Sequence, residues 1–494
     1  MMQFTKEVLP VVRVMAEEKG ENPHVVVGNA AVELSFNQKT GHLLVEKGGM
    51  ILLDFGRELV GGIGIVCRDS GKIRLRFGES VGEAMGAPNQ DHAIHDTELS
   101  LPRCAFHEFG DTGFRFVRID ALTDLKLQNI VAVETLPCAE ETTEFRCGDE
   151  QLDRIWLTAR RTVRLCMGNY IFDGAKRDRL VWMGDLYPEI RSIMAAYGDH
   201  PLIRRSLDFV RDDTPAGEFM NGISTYSLWW IVCQHVYWEK FRHRDYLEEQ
   251  HDCLADLLRR FSGFIDKNGA EKIPERRFLD WPNDGDKTAK HAGLQGLLSW
   301  AFRCGLPLAE ELNDSGLETL CREAIVRLSR HVPDCGTSKT AAALQILGGI
   351  ADRREVLLTN PLSGVSTFGA AFILTAFQKL NLKDAGVALI RNYYGAMLDR
   401  GATTFWEDFD LNWLPDSGRI DEFTPPGKRD LHADYGNYCY KGLRHSLCHG
   451  WASAPCFWLP QCVSVLDEAT WSWELEGALR LPPNLPPTGR VPAP

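Results

Sequence analysis

Nowhere do the 494 residues contain a block of lysines and arginines long enough to grip a polyanion, and the formal net charge is -13. Nucleic acid phosphates and anionic lipid headgroups are thereby excluded as natural partners. Cysteine occurs fourteen times but never as a Cys-x-x-Cys pair, and the residues are scattered along the chain. That spacing argues against both a zinc set and a disulfide framework, and predicts reduced, mostly buried thiols. No glycine-rich phosphate loop is present, so no nucleotide cofactor is expected. Repeats of fixed length are missing too, which argues against a solenoid of identical modules.

No convincing membrane span is found either. The uncharged stretch Phe219–Trp238 carries Asn221, Ser224, Thr225, Ser227, Gln234 and His235, which are costly in a bilayer and ordinary in a helix that lines a cavity. The N-terminal stretch Met1–Gly20 holds Lys6, Arg13, Glu17, Glu18 and Lys19, and its apolar segment Val8–Val14 is broken by Pro10 and Arg13. This is not the pattern of a secretory leader. Together these readings predict a soluble, cytoplasmic protein with no membrane partner.

What is present is an ordinary globular composition, 44% hydrophobic and 25% charged, over a length that suggests two unequal domains. From Val25 to about Thr135 the pattern is short and alternating: Val25–Val27, Leu43–Val45, Ile51–Leu53, Ile63–Val66, Ile73–Phe77 and Phe114–Ile119 lie between turn residues. Such a series predicts antiparallel strands in a β-sandwich. After Phe145 the period becomes helical. Leu152, Ile155, Trp156, Ala159, Val163, Cys166 and Met167 fall on one stripe, and similar stripes recur to about Trp458. Helices without intervening strands predict stacked hairpins, in a bundle, a solenoid or a closed toroid. The proline-rich tail, Leu481–Pro494, is expected to be extended.

Three segments carry chemistry. Asp173–Asp185 (DGAKRDRLVWMGD) packs three acids, three bases and Trp182 into thirteen positions. Paired carboxylates and arginines bind sugar hydroxyls while an aromatic ring covers the apolar face of a pyranose, although a structural ion-pair network would use the same residues. Gly401–Glu407 (GATTFWE) brings Glu407 beside Trp406, either at a cavity or as an acid near a helix start marked by Thr404. His445–Trp451 (HSLCHGW) is read as one helix with Trp458. Its two histidines stand at zinc-binding spacing without the glutamate or cysteines that would complete a set, so a buried or sugar-contacting role is favoured for His449. Trp281 is set among Asp280, Asn283 and Asp284 in an apparent loop, whereas Trp229 and Trp230 read as core by default.

In order along the chain, these segments, with Asp54–Gly62 (DFGRELVGG), Gly113–Val117 (GFRFV) and Tyr226–Trp230 (YSLWW), resemble glycoside hydrolase family 78, the α-L-rhamnosidases. The resemblance implies a β-sandwich over residues 1–140, an (α/α)6 barrel over residues 141–465 and a tail over residues 466–494. It implies inverting hydrolysis of a terminal L-rhamnose or related sugar, with two carboxylates roughly 6.5–9.5 Å apart. By position Asp178 matches the general acid and Glu407 the general base. Asp173, Arg177, Trp182 and Asp185 match residues that hold the sugar, and His449 a histidine at the same subsite. Trp230 and Trp281 match the aromatic wall, and Trp406 is counted among the substrate contacts. Family members carry Glu where this chain has Asp178, one methylene shorter. Arg177 and Arg179 flank it and lower its pKa if they point at it, while burial, Asp173 and Asp185 act in the opposite sense. The chain lacks the family's extra sandwich modules and most of its C-terminal β-domain, which suits a small glycoside as substrate. No cofactor is implied. A calcium ion on loop carboxylates and homo-oligomerisation are left open. The alternatives are a hydrolase of a different sugar and a catalytically inactive sugar-binding protein on the same scaffold.

Overall fold

A computed structural model describes residues 2–35, 41–87, 95–436 and 442–463, with two short strands beyond them. The N-terminal strands are β1 (Phe4–Pro10), β2 (Arg13–Glu21), β3 (Leu43–Cys67), β4 (Gly71–Gly78), β5 (Asp96–Leu101), β6 (Ala105–Ala121) and β7 (Leu125–Pro137). They form one connected sheet in the order β1-β7-β3-β6-β4-β5, with β2 beside β3. All neighbours are antiparallel except β3 and β7.

Strand β3 explains how seven strands share one sheet. Three separate strands expected between Leu43 and Val66 are one strand of 25 residues. The glycines that look like turns fall at irregularities, with register shifts against β6 between Asp54 and Leu59 and between Gly61 and Ile63. Such bulges bend a strand without ending it. Its first half pairs with β2, its two ends (Leu43–Val45 and Gly61–Cys67) with β7, and β6 runs beside it from Met50 onward. Leu53, Ile63, Ile73, Leu75, Phe114 and Leu127 meet in a core belonging to the sheet alone, each fully buried. Val25–Val27, expected as a strand, is instead the end of a 3-10 turn at Pro23–Val26 with Pro at its start, where the fixed proline φ suits a helical turn, followed by a single bridge from Val27 to Val11.

The helices are α1 (Val81–Met85), which caps the sheet, then α2 (Glu150–Leu165), α3 (Leu186–Tyr197), α4 (Leu202–Asp213), α5 (Ser224–Phe241), α6 (Arg244–Glu249), α7 (His251–Ser262) and α8 (Lys287–Glu311). They continue as α9 (Ser315–Leu328), α10 (Lys339–Leu347), α11 (Arg354–Leu358), α12 (Thr367–Lys379), α13 (Lys383–Leu389), α14 (Gly395–Asp399) and α15 (Ala454–Cys462). Side-chain caps fix several starts: Asp149 accepts from Leu152 N, Asp286 from Thr288 N and Ala289 N, Asp314 from Leu317 N, and Ser366 from Gly369 N. Contacts run from α2 to α3, α5, α8, α10, α12 and α15, and α15 returns to α2. Trp156, Trp229, Trp230, Tyr187, Phe372 and Trp458 fill the space these helices enclose.

Beyond residue 463, β8 (Val465–Asp467) pairs with β9 (Ser472–Glu474); the rest of the expected tail, residues 468–471 and 475–494, lies outside the described residues. None of the described cysteines is in a disulfide, and most are buried. Among the described residues no helix is long and apolar enough to cross a membrane.

Candidate active site

Helix α3 begins at Asp185, whose side chain makes no capping bond. The carboxyl is left for the cavity above, and the preceding loop brings the rest of Asp173–Asp185 with it. Backbone bonds stitch this loop to the segment before α15: Ala175 N donates to Cys448 O at 3.1 Å, and Gly450 N to Asp173 O at 2.8 Å. The same segment holds the third piece, because Glu407 N donates to Ser446 O and Ser446 N returns to Glu407 Oε2, both at 2.9 Å. His445–His449 is therefore not helical as expected. Its backbone bonds are committed to the two neighbouring loops, and helical structure resumes with a 3-10 turn at Gly450–Ser453 that leads into α15.

These segments border a cavity of about 400 Å³. Asp173, Asp178, Trp182, Asp185, Trp281, Glu407 and His449, all singled out in the sequence, line it. Arg177 lies just behind, donating from Nη1 to Asp178 Oδ2 at 2.6 Å and from Nη2 to Glu407 Oε2. Its Nε donates to the carbonyl of Arg444. Two expected contacts lie elsewhere. Trp230 is fully buried and donates to Leu207 O at 3.2 Å, and Trp406 packs edge-on against Phe409, with ring centroids 5.4 Å apart. Neither borders the cavity. Both belong to the helical core, where an aromatic in an uncharged run finds apolar neighbours.

Several lining residues were missed: Ile223, Tyr226, Phe278, the charged rim of Glu275, Arg276, Arg277 and Lys290, and Trp451 as a wall. Trp451 Nε1 donates to Glu407 O at 3.0 Å. Asp284 was noted beside Trp281 and does reach the cavity; Asp280 is buried and bonded to Thr340 Oγ1 and Asn283 Nδ2, both at 2.6 Å. Tyr226 had a signal in Gly184. A Cβ there would stand 2.6 Å from the Tyr226 ring, so only glycine lets the loop close on it, while Trp182 meets the same ring edge-on.

Charge in the cavity is unusual. Burial pushes the Asp173 carboxyl up to about 8, with the Glu407 and Asp178 charges adding to it. Burial also raises Asp185 and Glu189 well above the carboxylate range, reinforced by their acidic neighbours. His449 lies 3.8–3.9 Å from Asp173, Asp185 and Glu407, yet burial outweighs them and lowers it to about 4. At neutral pH the cavity therefore offers carboxylic acid donors, a neutral imidazole and the Glu407–Arg177–Asp178 group, a mixed set of donors and acceptors suited to hydroxyls. Asp178 itself sits at φ +55 and Arg179 at φ +48. Asp tolerates this left-handed backbone better than longer side chains do, and such strain clusters at functional sites.

Among the described residues one trio could hold a metal by geometry: Glu79, Glu83 and His432 offer ligand atoms within 4.8 Å of one another. The buried Lys176 ammonium already bridges the two carboxylates there, 3.0 Å from each. Glu79 also accepts from Leu447 N at 2.7 Å and Ser446 Oγ at 3.1 Å, so the sheet side supports the segment that holds Glu407.

The helices pack in succession beside the sheet, with carboxylates and aromatics around one cavity, and comparison with known proteins places this arrangement. Residues 140–298 match the bacterial alpha-L-rhamnosidase 6 hairpin glycosidase domain. A rhamnosidase from Klebsiella oxytoca with rhamnose bound is similar at 20% identity and a TM-score of 0.75, over 93% of this chain and 96% of that one. An α-L-rhamnosidase from Streptomyces avermitilis complexed with L-rhamnose is similar at 16% identity and a TM-score of 0.69, over 93% of this chain and 44% of that one. A family 78 rhamnosidase of Bacillus sp. GL1 is similar at 19% identity and a TM-score of 0.65, over 84% and 46%. The chain thus spans less than half the length of the last two. No curated protein sequence matches it. The resemblance to family 78 read from the sequence is borne out, and the fold is that of an α-L-rhamnosidase-like glycoside hydrolase.

Proposed function

We propose that the protein is an inverting glycoside hydrolase of the α-L-rhamnosidase kind that removes a terminal L-rhamnose or related sugar from a small glycoside. The observation that carries this reading is the joint placement of Asp178 and Glu407 on one cavity with Trp182, Trp281 and a set of protonated acids. In this mechanism the Asp178 carboxylic acid gives its proton to the glycosidic oxygen as the bond to the anomeric carbon breaks. A water attacks that carbon from the opposite face and loses its proton to Glu407. Asp173, Asp185, Arg177 and His449 hold the sugar hydroxyls. On this reading the helices close an (α/α)6 barrel over residues 141–465 behind a β-sandwich over residues 1–140, no cofactor takes part, and the enzyme works in the cytoplasm.

A second reading, a sugar-binding protein without turnover, is favoured by the Arg177 guanidinium, which donates to both Asp178 and Glu407 and so ties the two carboxyls together. Incubation with 4-nitrophenyl α-L-rhamnopyranoside separates the two. Release of nitrophenol that falls by about 10²–10⁴ in Glu407→Gln supports the hydrolase. No release, together with protection of the fold by rhamnose against heat, supports the binding protein. Neither release nor protection would overturn both. The activated leaving group needs little protonation, so Asp178→Asn should lose far less on this substrate than on a natural glycoside.

A further inference from the structure

A second cavity, of about 200 Å³, lies where the sheet meets the helical unit, and it shares no lining residue with the candidate active site. Four guanidinium groups border it: Arg57 from β3, and Arg160, Arg161 and Arg164 from α2. The acids present are already engaged. Buried Glu134 accepts from Arg57 at 3.3 Å and from Arg161, Glu141 accepts from Arg160 at 2.7 Å, and Glu7 stands 3.9 Å from Arg57.

Arg164 differs from the other three. Among the described residues no carboxylate lies within ion-pair distance of it; its Nη2 donates only to the Pro137 carbonyl, and its Nη1 is buried with no hydrogen-bond partner. Arg161, nine-tenths buried, likewise keeps an unpartnered Nε. Burial pulls the Arg164 pKa down, and the neighbouring Arg161 charge adds to the effect. Arg160 and Arg164 stand four residues apart on one helix, a spacing at which like charges repel. A desolvated cation without an anion is costly, and the side chains of Arg161 and Arg164 line the cavity.

We propose that this cavity binds a phosphate or sulfate group. A tetrahedral oxyanion offers several acceptor oxygens in different directions and so can take donors from more than one guanidinium, which a single carboxylate does less well. The Tyr197 side chain on the same wall gives an apolar surface for the remainder of an ester. Because β1, β3, β7, α2 and α3 all contribute to the cavity, a bound anion would tie the sheet to the helical unit.

The test is thermal unfolding of the full chain in inorganic phosphate against chloride at equal ionic strength, with glucose 6-phosphate as an ester. Wild type should show a saturable rise in Tm of about 2 °C. Arg164→Gln should lose it, Arg164→Lys should keep part of it, and both should turn over substrate as wild type does. Should Arg164→Gln not fold, Arg160→Gln takes its place, read by broadening of the phosphate ³¹P resonance in a titration. Equal responses to the two anions would identify free phosphate, and a stronger response to the ester a phosphorylated small molecule; both uphold the site. No saturable response in wild type overturns the proposal, and so does one that survives in both glutamine variants.

Discussion

Replacing Asp173 by Asn should change how stability depends on pH, by an amount that can be worked out from the site. The Asp173 carboxyl is pushed from an ordinary 3.8 to about 8, chiefly by burial. Between these values the folded chain holds a proton that the unfolded chain has released, so stability falls as pH rises through the window and levels off above about 8. The full slope is about 1.4 kcal/mol per pH unit. From about pH 5.5 to about pH 7.5 the wild type should therefore lose about 3 kcal/mol through this one group. His449 acts in the opposite sense: its folded value, about 4, is below the ordinary 6.5, so its contribution rises with pH between those values and is complete above them. Asn retains the acceptor that Asp173 Oδ1 presents to Leu180 N at 2.9 Å and leaves His449 in place. Subtracting the variant's urea-unfolding curve from that of wild type at each pH thus isolates Asp173. The variant should gain about 3 kcal/mol relative to wild type over that interval. Parallel curves would mean that Asp173 is ionised throughout, and would refute the account of the cavity as a store of protonated acids.

Gly450→Ala should destabilise the protein by about 1–3 kcal/mol, because the new Cβ would fall 1.7 Å from Glu189 Oε1; thermal unfolding checks this, and Glu189→Ser should restore most of the loss. Lys176→Met leaves Glu79 and Glu83 buried without their cation, at a cost of about 3–5 kcal/mol at neutral pH. Burial already raises Glu79 while Lys176 opposes the shift, so the deficit should shrink as pH falls and the acids take up protons, as followed by urea unfolding. Trp281→Ala removes a wall of the cavity that packs on Phe278, ring centroids 4.9 Å apart. It should raise KM about tenfold with little change in kcat.

The strand and helix regions were legible because alternation and 3.6-residue periodicity report burial directly, as the stripe from Leu152 to Val163 does in α2. Less legible was where one strand ends. Glycines at 48, 49, 56, 61 and 62 read as turns, and only pairing with β2, β6 and β7 makes them bends within β3. The cavity was legible wherever acids, arginines and an aromatic are adjacent in sequence, as in Asp173–Asp185. It was illegible where residue type alone had to decide. By its neighbours Trp230 reads as core and only the resemblance put it on the aromatic wall; it sits mid-helix and buried, while Trp281, read apart because acids crowd it in a loop, does line the cavity. Glu79 and Glu189 gave no sign of their importance, since the backbone partner of Glu79 lies hundreds of residues away and the Glu189 oxygens have no hydrogen-bond partner among the described residues.

The backbone bonds between Ala175 and Cys448 and between Glu407 and Ser446 have a consequence for biosynthesis. A chain emerging from the ribosome presents the 173–185 loop long before residues 407 and 446–451 exist. Until they arrive, Asp173, Asp185 and Glu189 lack the burial that raises their pKa values in the folded chain. Docking of residues 446–451 on the loop should therefore be coupled to proton uptake by these acids, so that this last part of assembly is favoured by a mildly acidic medium.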